Sequence, residues 1–181
     1  ESNAMQVMLV LQEEHIERGE AIVHNLLEGN RVTITKGGTT RYSSVQNGLA
    51  LVQQESIVFV HDGVRCLVSQ QLIKNCYEQA LLKGSAIPAV AATDSIRIIQ
   101  PNNASVVADR TQVRIVQTPQ TFKSSILIPA FQQVYSDFFT DEATVVEAFG
   151  TAIHLIDGDY NNIKVTRPVD LVIAEKILEE L

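Results

Sequence analysis

Apolar residues along this chain come in short blocks separated by polar loops, and the spacing inside each block sets the element it predicts. Residues Val7–Leu11, Ile57–Val60 and 86–91 are nearly unbroken apolar runs, which suit strands buried on both faces. Pro88 inside the third run predicts a bulge or a sheet-edge position. Residues 31–35 alternate and read as a strand; 152–156 and 163–166 read as two more. Helical spacing covers 13–27, with Gly19 inside it, and recurs at Val45, Leu49 and Val52. It is clearest at Leu72, Ile73, Cys76, Tyr77, Ala80 and Leu81, where Ser69 can cap the start and Gly84 the end. Further helices are predicted around 126–134, with Pro129 implying a kink or a late start. Another follows Thr140, which can cap it, and runs to Gly150. The last follows Arg167-Pro168, with Leu171, Ala174, Leu178 and Leu181 on one face.

Strands alternating with helices predict an α/β domain with a mainly parallel sheet and helices on both faces. Residues 95–117 break that rhythm. They hold two or three short strands with no helix between them, the pattern of a hairpin arm projecting from the body. An arm with one apolar face needs a cover, commonly a second subunit.

At 181 residues, the chain is long enough for one domain with a proper core. Its 45% apolar and 19% charged fractions are those of an ordinary globular protein. No apolar run is long enough to span a bilayer and no secretory signal is visible, so a membrane is not expected as a partner and a cytoplasmic location is. Cys66 and Cys76 show no metal-ligand spacing and read as reduced thiols. A net charge of −7 argues against a nucleic-acid surface. It also makes cations beside loop glycines conspicuous. Ser2-Asn3-Ala4 before Met5 resembles the scar of tag cleavage, which sets residues 1–4 aside and leaves 5–181 as the domain.

Three places carry candidate chemistry. Ile57–Val60 runs into His61-Asp62-Gly63-Val64-Arg65, so Asp62 and Arg65 stand at a strand's carboxyl end, where open α/β sheets bind ligands. Asp62 can hold a hard cation, and Arg65 can fork onto a phosphate. The plainer alternative is an Asp-Gly turn with a solvated Arg65. The loop 36–44 joins Gly37-Gly38, Arg41, Ser43 and Ser44 to a helix start, which offers N–H groups and hydroxyls to an anion or a base. It reads equally as a Gly-Gly turn followed by a Ser cap. Lys164, on a short apolar stretch, either reaches a phosphate or simply extends to water.

Read in order, several stretches resemble one family. They are Gly37-Gly38-Thr39-Thr40-Arg41-Tyr42-Ser43-Ser44-Val45, Val60–Arg65, Asp109-Arg110, Gln117–Phe122, Thr140-Asp141-Glu142-Ala143 and Asn162–Leu171. The family is that of the 2-C-methyl-D-erythritol 4-phosphate cytidylyltransferases of the non-mevalonate isoprenoid route. The resemblance implies a Rossmann-like nucleotidyltransferase fold that joins CTP to the alcohol phosphate with Mg²⁺ and releases pyrophosphate. It implies that Gly38, Arg41 and Ser44 lie on the cytidine side and that Asp62 serves the ribose and metal, with Arg65 close by. It assigns Lys164 to the α-phosphate, and Arg110, Thr118 and Thr140 to the alcohol phosphate. It further implies a homodimer in which the arm of one subunit reaches the other's site.

The family also opens with a strand and a Gly-rich phosphate loop, which has no counterpart here; the expectation is that this stretch belongs near residues 6–7. Cys66 stands where the family usually has Pro. Two alternatives stay open: a ribitol-5-phosphate cytidylyltransferase, and a non-catalytic nucleotide-binding remnant.

Overall fold

The computed structural model describes residues 5–180, so the tag scar read at 1–4 lies outside the described residues, as does Leu181. The chain gathers into two compact units. One takes the chain through Ser56 together with Ser124–Thr151; the other takes Ile57–Lys123 and the chain from Ala152 onward.

In the first unit β1 (Val7–Leu11) and β2 (Val32–Lys36) pair in parallel, with Val7 opposite Val32 and Leu11 opposite Lys36. The crossover between them is α1 (Ile16–His24), preceded by a single 3₁₀ turn at Glu13–His15. Gly19 is the buried residue of α1, and a Cβ there would stand 2.4 Å from Leu11 Cδ1. The glycine that weakens the helical pattern therefore lets the helix lie close on β1. β1 is half-buried rather than buried on both faces, because among the described residues its sheet has two strands. Three further helices complete the unit: α2 (Arg41–Leu49), α4 (Ser124–Ala130) and α5 (Glu142–Ala148). Tyr42 of α2 is their hub. Its ring stacks on Phe131 at 4.8 Å and on Phe139 at 5.5 Å, and its hydroxyl lies 2.9 and 2.7 Å from the carbonyls of Phe131 and Gln133. α4 starts early and stops one residue after Pro129, so the proline falls in a last turn, where a lost hydrogen bond matters least. α5 is capped by Asp141, not Thr140: the Asp141 carboxylate accepts from Thr144 N, and Thr144 Oγ1 reciprocates toward Asp141 N.

The second unit is built on β4 (Ser85–Ala91), six of whose seven residues are buried. The strand order is β3 (Ile57–Val60), β8 (Gln120–Lys123), β4, β7 (Arg114–Val116), with β9 (Leu155–Asp157) also pairing β4. The α/β class is as expected, and the sheets are mixed: β4–β9 is parallel, whereas β3–β8, β4–β8 and β4–β7 are antiparallel. The reason is that β7 and β8 follow β4 with no helix between, and strands linked that way return antiparallel. Pro88 sits in this central strand. β8 pairs residues 85–86 and β7 pairs residues 89–91. Since Ile87 N–H points to β9 (His154 O, 2.9 Å), the N–H that Pro88 lacks would face the gap between those two ladders. β3, at the end of the order, is half-buried rather than buried on both faces.

α3 (Gln70–Lys83) runs from Ser69, whose hydroxyl accepts from Leu72 N, to Gly84 at φ 88°. It buries Leu72, Cys76 and Ala80 against Ala86, Ile57 and Phe59. Burial pushes the Cys76 thiol up to about 11, so it is a packing group and not a nucleophile. The arm is narrower than its sequence span. β5 (Ile96–Ile99) and β6 (Ser105–Ala108) form a separate hairpin, whereas β7 leaves it to join β4. The last helix, α6 (Pro168–Glu180), buries Asp170 and Ala174 and leaves Leu171 and Leu178 exposed. Residues 163–166, expected as a strand, form none. They are tied instead by Val165 N–H donating to Val64 O at 2.9 Å.

Candidate active site

In the second unit the carboxyl end of β3 delivers His61 and Asp62, and a tight turn (Arg65 N to Asp62 O, 2.9 Å) brings Arg65 back over them. Lys164 Nζ lies 3.2 Å from Asp62 Oδ2, and Arg65 Nε lies 3.6 Å from the same oxygen. The Asp62 and Arg65 side chains are 15% and 11% exposed, that of Lys164 49%. Two cations on one carboxylate leave these three groups with a net positive charge, inside a chain whose net charge is −7. A surplus cation set where water is partly excluded attracts an anion more strongly than it would at the open surface.

The ring of His61 fixes the next contacts. Its Nε2 lies 3.0 Å from the Arg65 carbonyl, which can only accept, so the neutral ring carries its proton on Nε2. Nδ1 is then an acceptor, 3.1 Å from Thr118 Oγ1. The Thr118 hydroxyl donates there and accepts from Asp62 N at 3.0 Å. Thr118 thus holds the backbone of Asp62 as well as standing beside it.

In the first unit the loop before α2 closes on itself. Thr40 caps the helix, accepting from Ser43 N, and the Ser43 hydroxyl accepts from Thr40 N. Ser44 Oγ donates to Thr40 O at 2.8 Å and accepts from Gly38 N at 3.1 Å. A Cβ on Gly38 would meet Ser43 Oγ at 2.2 Å and Ser43 Cβ at 2.5 Å; only glycine lets the loop fold down onto the helix start. Arg41 turns both Nη atoms onto the carboxylate of Glu142, the second of them at 2.9 Å. The Glu142 side chain is fully buried. Burial raises its carboxyl above the usual range, and the Arg41 guanidinium opposes that rise.

The structure therefore brings Asp62, Arg65, Thr118 and Lys164 together in one unit, and Gly38, Arg41 and Ser44 in the other. Arg110 stands in the 3₁₀ turn after β6, exposed, donating to Thr93 O at 2.7 Å. Thr140 is exposed just ahead of the Asp141 cap. Three groups escaped the sequence reading. Glu142 reads as a helix-start acid, yet it is the buried partner of Arg41. Gln117 and Asn162 are buried polar residues beside the Asp62 cluster, and no periodicity marks a buried polar residue in a loop.

A positively biased side-chain cluster at a strand's carboxyl end, on a mixed α/β sheet, is the kind of charge a nucleotidyltransferase needs for a polyphosphate. The model of the family described as 2-C-methyl-D-erythritol 4-phosphate cytidylyltransferase matches residues 1–180. Relatives of that name include one from Bacteroides fragilis, 38% identical over 96% of this chain and 79% of that protein. Another, from Phocaeicola vulgatus, is 46% identical over 82% of this chain and 67% of that protein. Among solved structures, the 2-C-methyl-D-erythritol 4-phosphate cytidylyltransferase from Thermus thermophilus superposes with a TM-score of 0.80 at 28% identity. It covers 98% of this chain and 84% of that one. The chain belongs to the 2-C-methyl-D-erythritol 4-phosphate cytidylyltransferase family.

Proposed function

We propose that this chain transfers the cytidylyl group of CTP to 2-C-methyl-D-erythritol 4-phosphate in isoprenoid precursor biosynthesis. A phosphate oxygen of the alcohol attacks the α-phosphorus of CTP, and the bond from that phosphorus to the β-phosphate oxygen breaks. The products are 4-diphosphocytidyl-2-C-methyl-D-erythritol and pyrophosphate. The observation that carries this reading is the Asp62–Arg65–Lys164 cluster, in a chain that matches the family model over residues 1–180.

Such a transfer asks for alignment and positive charge more than covalent help. Lys164, half-exposed on a loop, is the group to meet the non-bridging α-phosphate oxygens and to stabilise the charge that grows there. Arg65 and Thr118 hold Asp62 in place. Gly38, Arg41 and Ser44 serve the cytidine, with Arg41 acting through its bond to Glu142, and Arg110, Thr118 and Thr140 serve the alcohol phosphate. No group of three His, Cys, Asp or Glu side chains able to hold a metal occurs among the described residues. A single carboxylate such as Asp62 nevertheless fits Mg²⁺, which takes one or two carboxylates and fills its shell with phosphate oxygens and water. When bound, the ion would neutralise phosphate charge, and Lys164 would give up Asp62 for the substrate.

The arm supports a homodimer: Ile98, Ile99, Val106 and Val107 of the hairpin are 47–73% exposed. No helix among the described residues is long and apolar enough to cross a membrane, which is consistent with a cytoplasmic enzyme. Pyrophosphate release with CTP, Mg²⁺ and methylerythritol phosphate, run beside ribitol 5-phosphate, tests the reading. Turnover with the first alcohol alone is expected. Turnover with ribitol 5-phosphate alone would move the chain to the other cytidylyltransferase, and none with either would favour the non-catalytic reading.

A further inference from the structure

We infer that Asn162 is a positioning residue for Lys164, a step that rests on the α-phosphate role given to that lysine. Lys164 lies in no helix and no strand, so no ladder fixes its backbone. Cross-loop bonds hold it instead. Two residues upstream, the Asn162 carbonyl accepts from Arg65 Nη1 at 2.8 Å; one residue downstream, Val165 N–H donates to Val64 O at 2.9 Å. Asn162 itself is fully buried. Its Nδ2 donates to Thr118 O at 2.8 Å, and its backbone N–H donates to Asp159 O at 3.0 Å. Asn162 therefore joins the three segments that carry Asp62 with Arg65, Thr118, and Lys164.

Gln117 supports the same node. Its Nε2 donates to Asp159 O at 2.8 Å and its Oε1 accepts from Asp159 N at 3.1 Å. A Cβ on Gly158 would come within 2.6 Å of that Oε1, so the loop is packed down onto the amide. Asn162 Oδ1 is buried without a hydrogen-bond partner among the described residues, and the buried Arg65 Nε makes no hydrogen bond there but only its 3.6 Å ion pair with Asp62. Leaving buried polar groups unpaired is unfavourable, and such groups concentrate where geometry serves a function. A long lysine stem can point its charge at a phosphate only if its root is fixed, and a root displaced by about 1 Å costs on the order of a hundredfold in rate.

The test compares wild type, Asn162→Ala, Lys164→Arg and the double variant in pyrophosphate release, with circular dichroism to confirm folding. Asn162→Ala is expected to lower kcat by roughly tenfold or more and to leave KM for CTP within about twofold, since the charge is present but misaimed. In the Lys164→Arg background the same change is expected to cost no more than about twofold. An equal loss in both backgrounds, or a rise in KM with kcat unchanged, would overturn the inference. If Asn162→Ala fails to fold, Asn162→Asp keeps the shape but turns the donor facing Thr118 O into an acceptor, and the same pattern is expected. Lysine-directed labelling read by mass spectrometry needs no activity. Lys164 is expected to label faster in the variant than in wild type, relative to Lys176, and equal labelling would count against the positioning. An inactive wild type that shows the labelling shift would overturn the proposed reaction and leave the positioning standing.

Discussion

Each unit sets an arginine beside a carboxylate, and the two arrangements do opposite things. Arg41 and Glu142 form a closed pair: both Nη atoms face one carboxylate, the carboxylate is fully buried, and their charges cancel. Around Asp62 the sum does not cancel. Arg65 and Lys164 share one carboxylate oxygen, and the lysine remains half-exposed. The first arrangement fastens the helix start of α2 to that of α5; the second leaves a positive charge available to a ligand. A cation beside a glycine loop is therefore no measure of an anion site. The burial of its partner decides whether the charge is spent on the fold or offered outward.

The largest effect that tests this contrast is on rate. Lys164→Ala should lower kcat about a hundred- to a thousandfold, the usual loss for one donor to transition-state charge, with a much smaller change in KM for CTP. It should leave the melting temperature nearly unchanged, because an ion pair with one half-exposed partner contributes little stability. Steady-state kinetics and a thermal melt on the same sample check both halves, and equal losses in rate and CTP affinity would remove the assigned role.

Next comes stability. Glu142→Ala should destabilise the chain by about 3 kcal/mol in urea unfolding, the lower part of the range for breaking a buried pair, since Arg41 can turn to water. Were it to cost nothing while Lys164→Ala unfolded the protein, the contrast between the units would be reversed. A smaller effect tests the arm. Arg110→Ala should raise KM for methylerythritol phosphate about tenfold. Mixing it with Lys164→Ala subunits should restore activity if sites are built across a dimer, whereas no recovery would confine each site to one chain.

The smallest effect is a pH dependence at another arginine–carboxylate pair, Arg167 with Asp170. The Asp170 carboxylate accepts from Arg167 and from the backbone N–H groups of Thr166 and Arg167, which holds its pKa well below the usual carboxylate range. A depressed folded-state pKa contributes stability that is present above the unfolded value of about 3.9 and is lost as the pH falls toward the folded one. Asp170→Asn should therefore flatten the acid limb of stability below about pH 4 while leaving activity at neutral pH unchanged. Acid unfolding followed by circular dichroism measures it.

How much of this was legible beforehand follows from the range over which each signal acts. Local grammar carried far: the Ser69 cap, the Gly84 stop, the proline-led start of α6 and the strand–loop–helix run through Asp62 all depend on neighbours a few residues away, and all stand in the structure. The ordered motifs marked the family on the same basis. Long-range pairing was another matter. Strand β8 lies between β3 and β4, yet Gln120-Thr121-Phe122-Lys123 offers neither an apolar run nor a clean alternation, so only its neighbours in space make it a strand. The mixed pairing, the partial burial of β1 and β3 and the exposed side of α6 were likewise set by which elements met. The sequence by itself determined which charged and hydroxyl residues stand in loops beside glycines and strand ends. The tertiary structure alone decided that Glu142 neutralises Arg41, that Asn162 braces the loop of Lys164, and that Lys164 keeps a charge to offer. The reason is physical: what a charge or an amide does depends on the partner and the water around it, and segments far apart in the chain supply both.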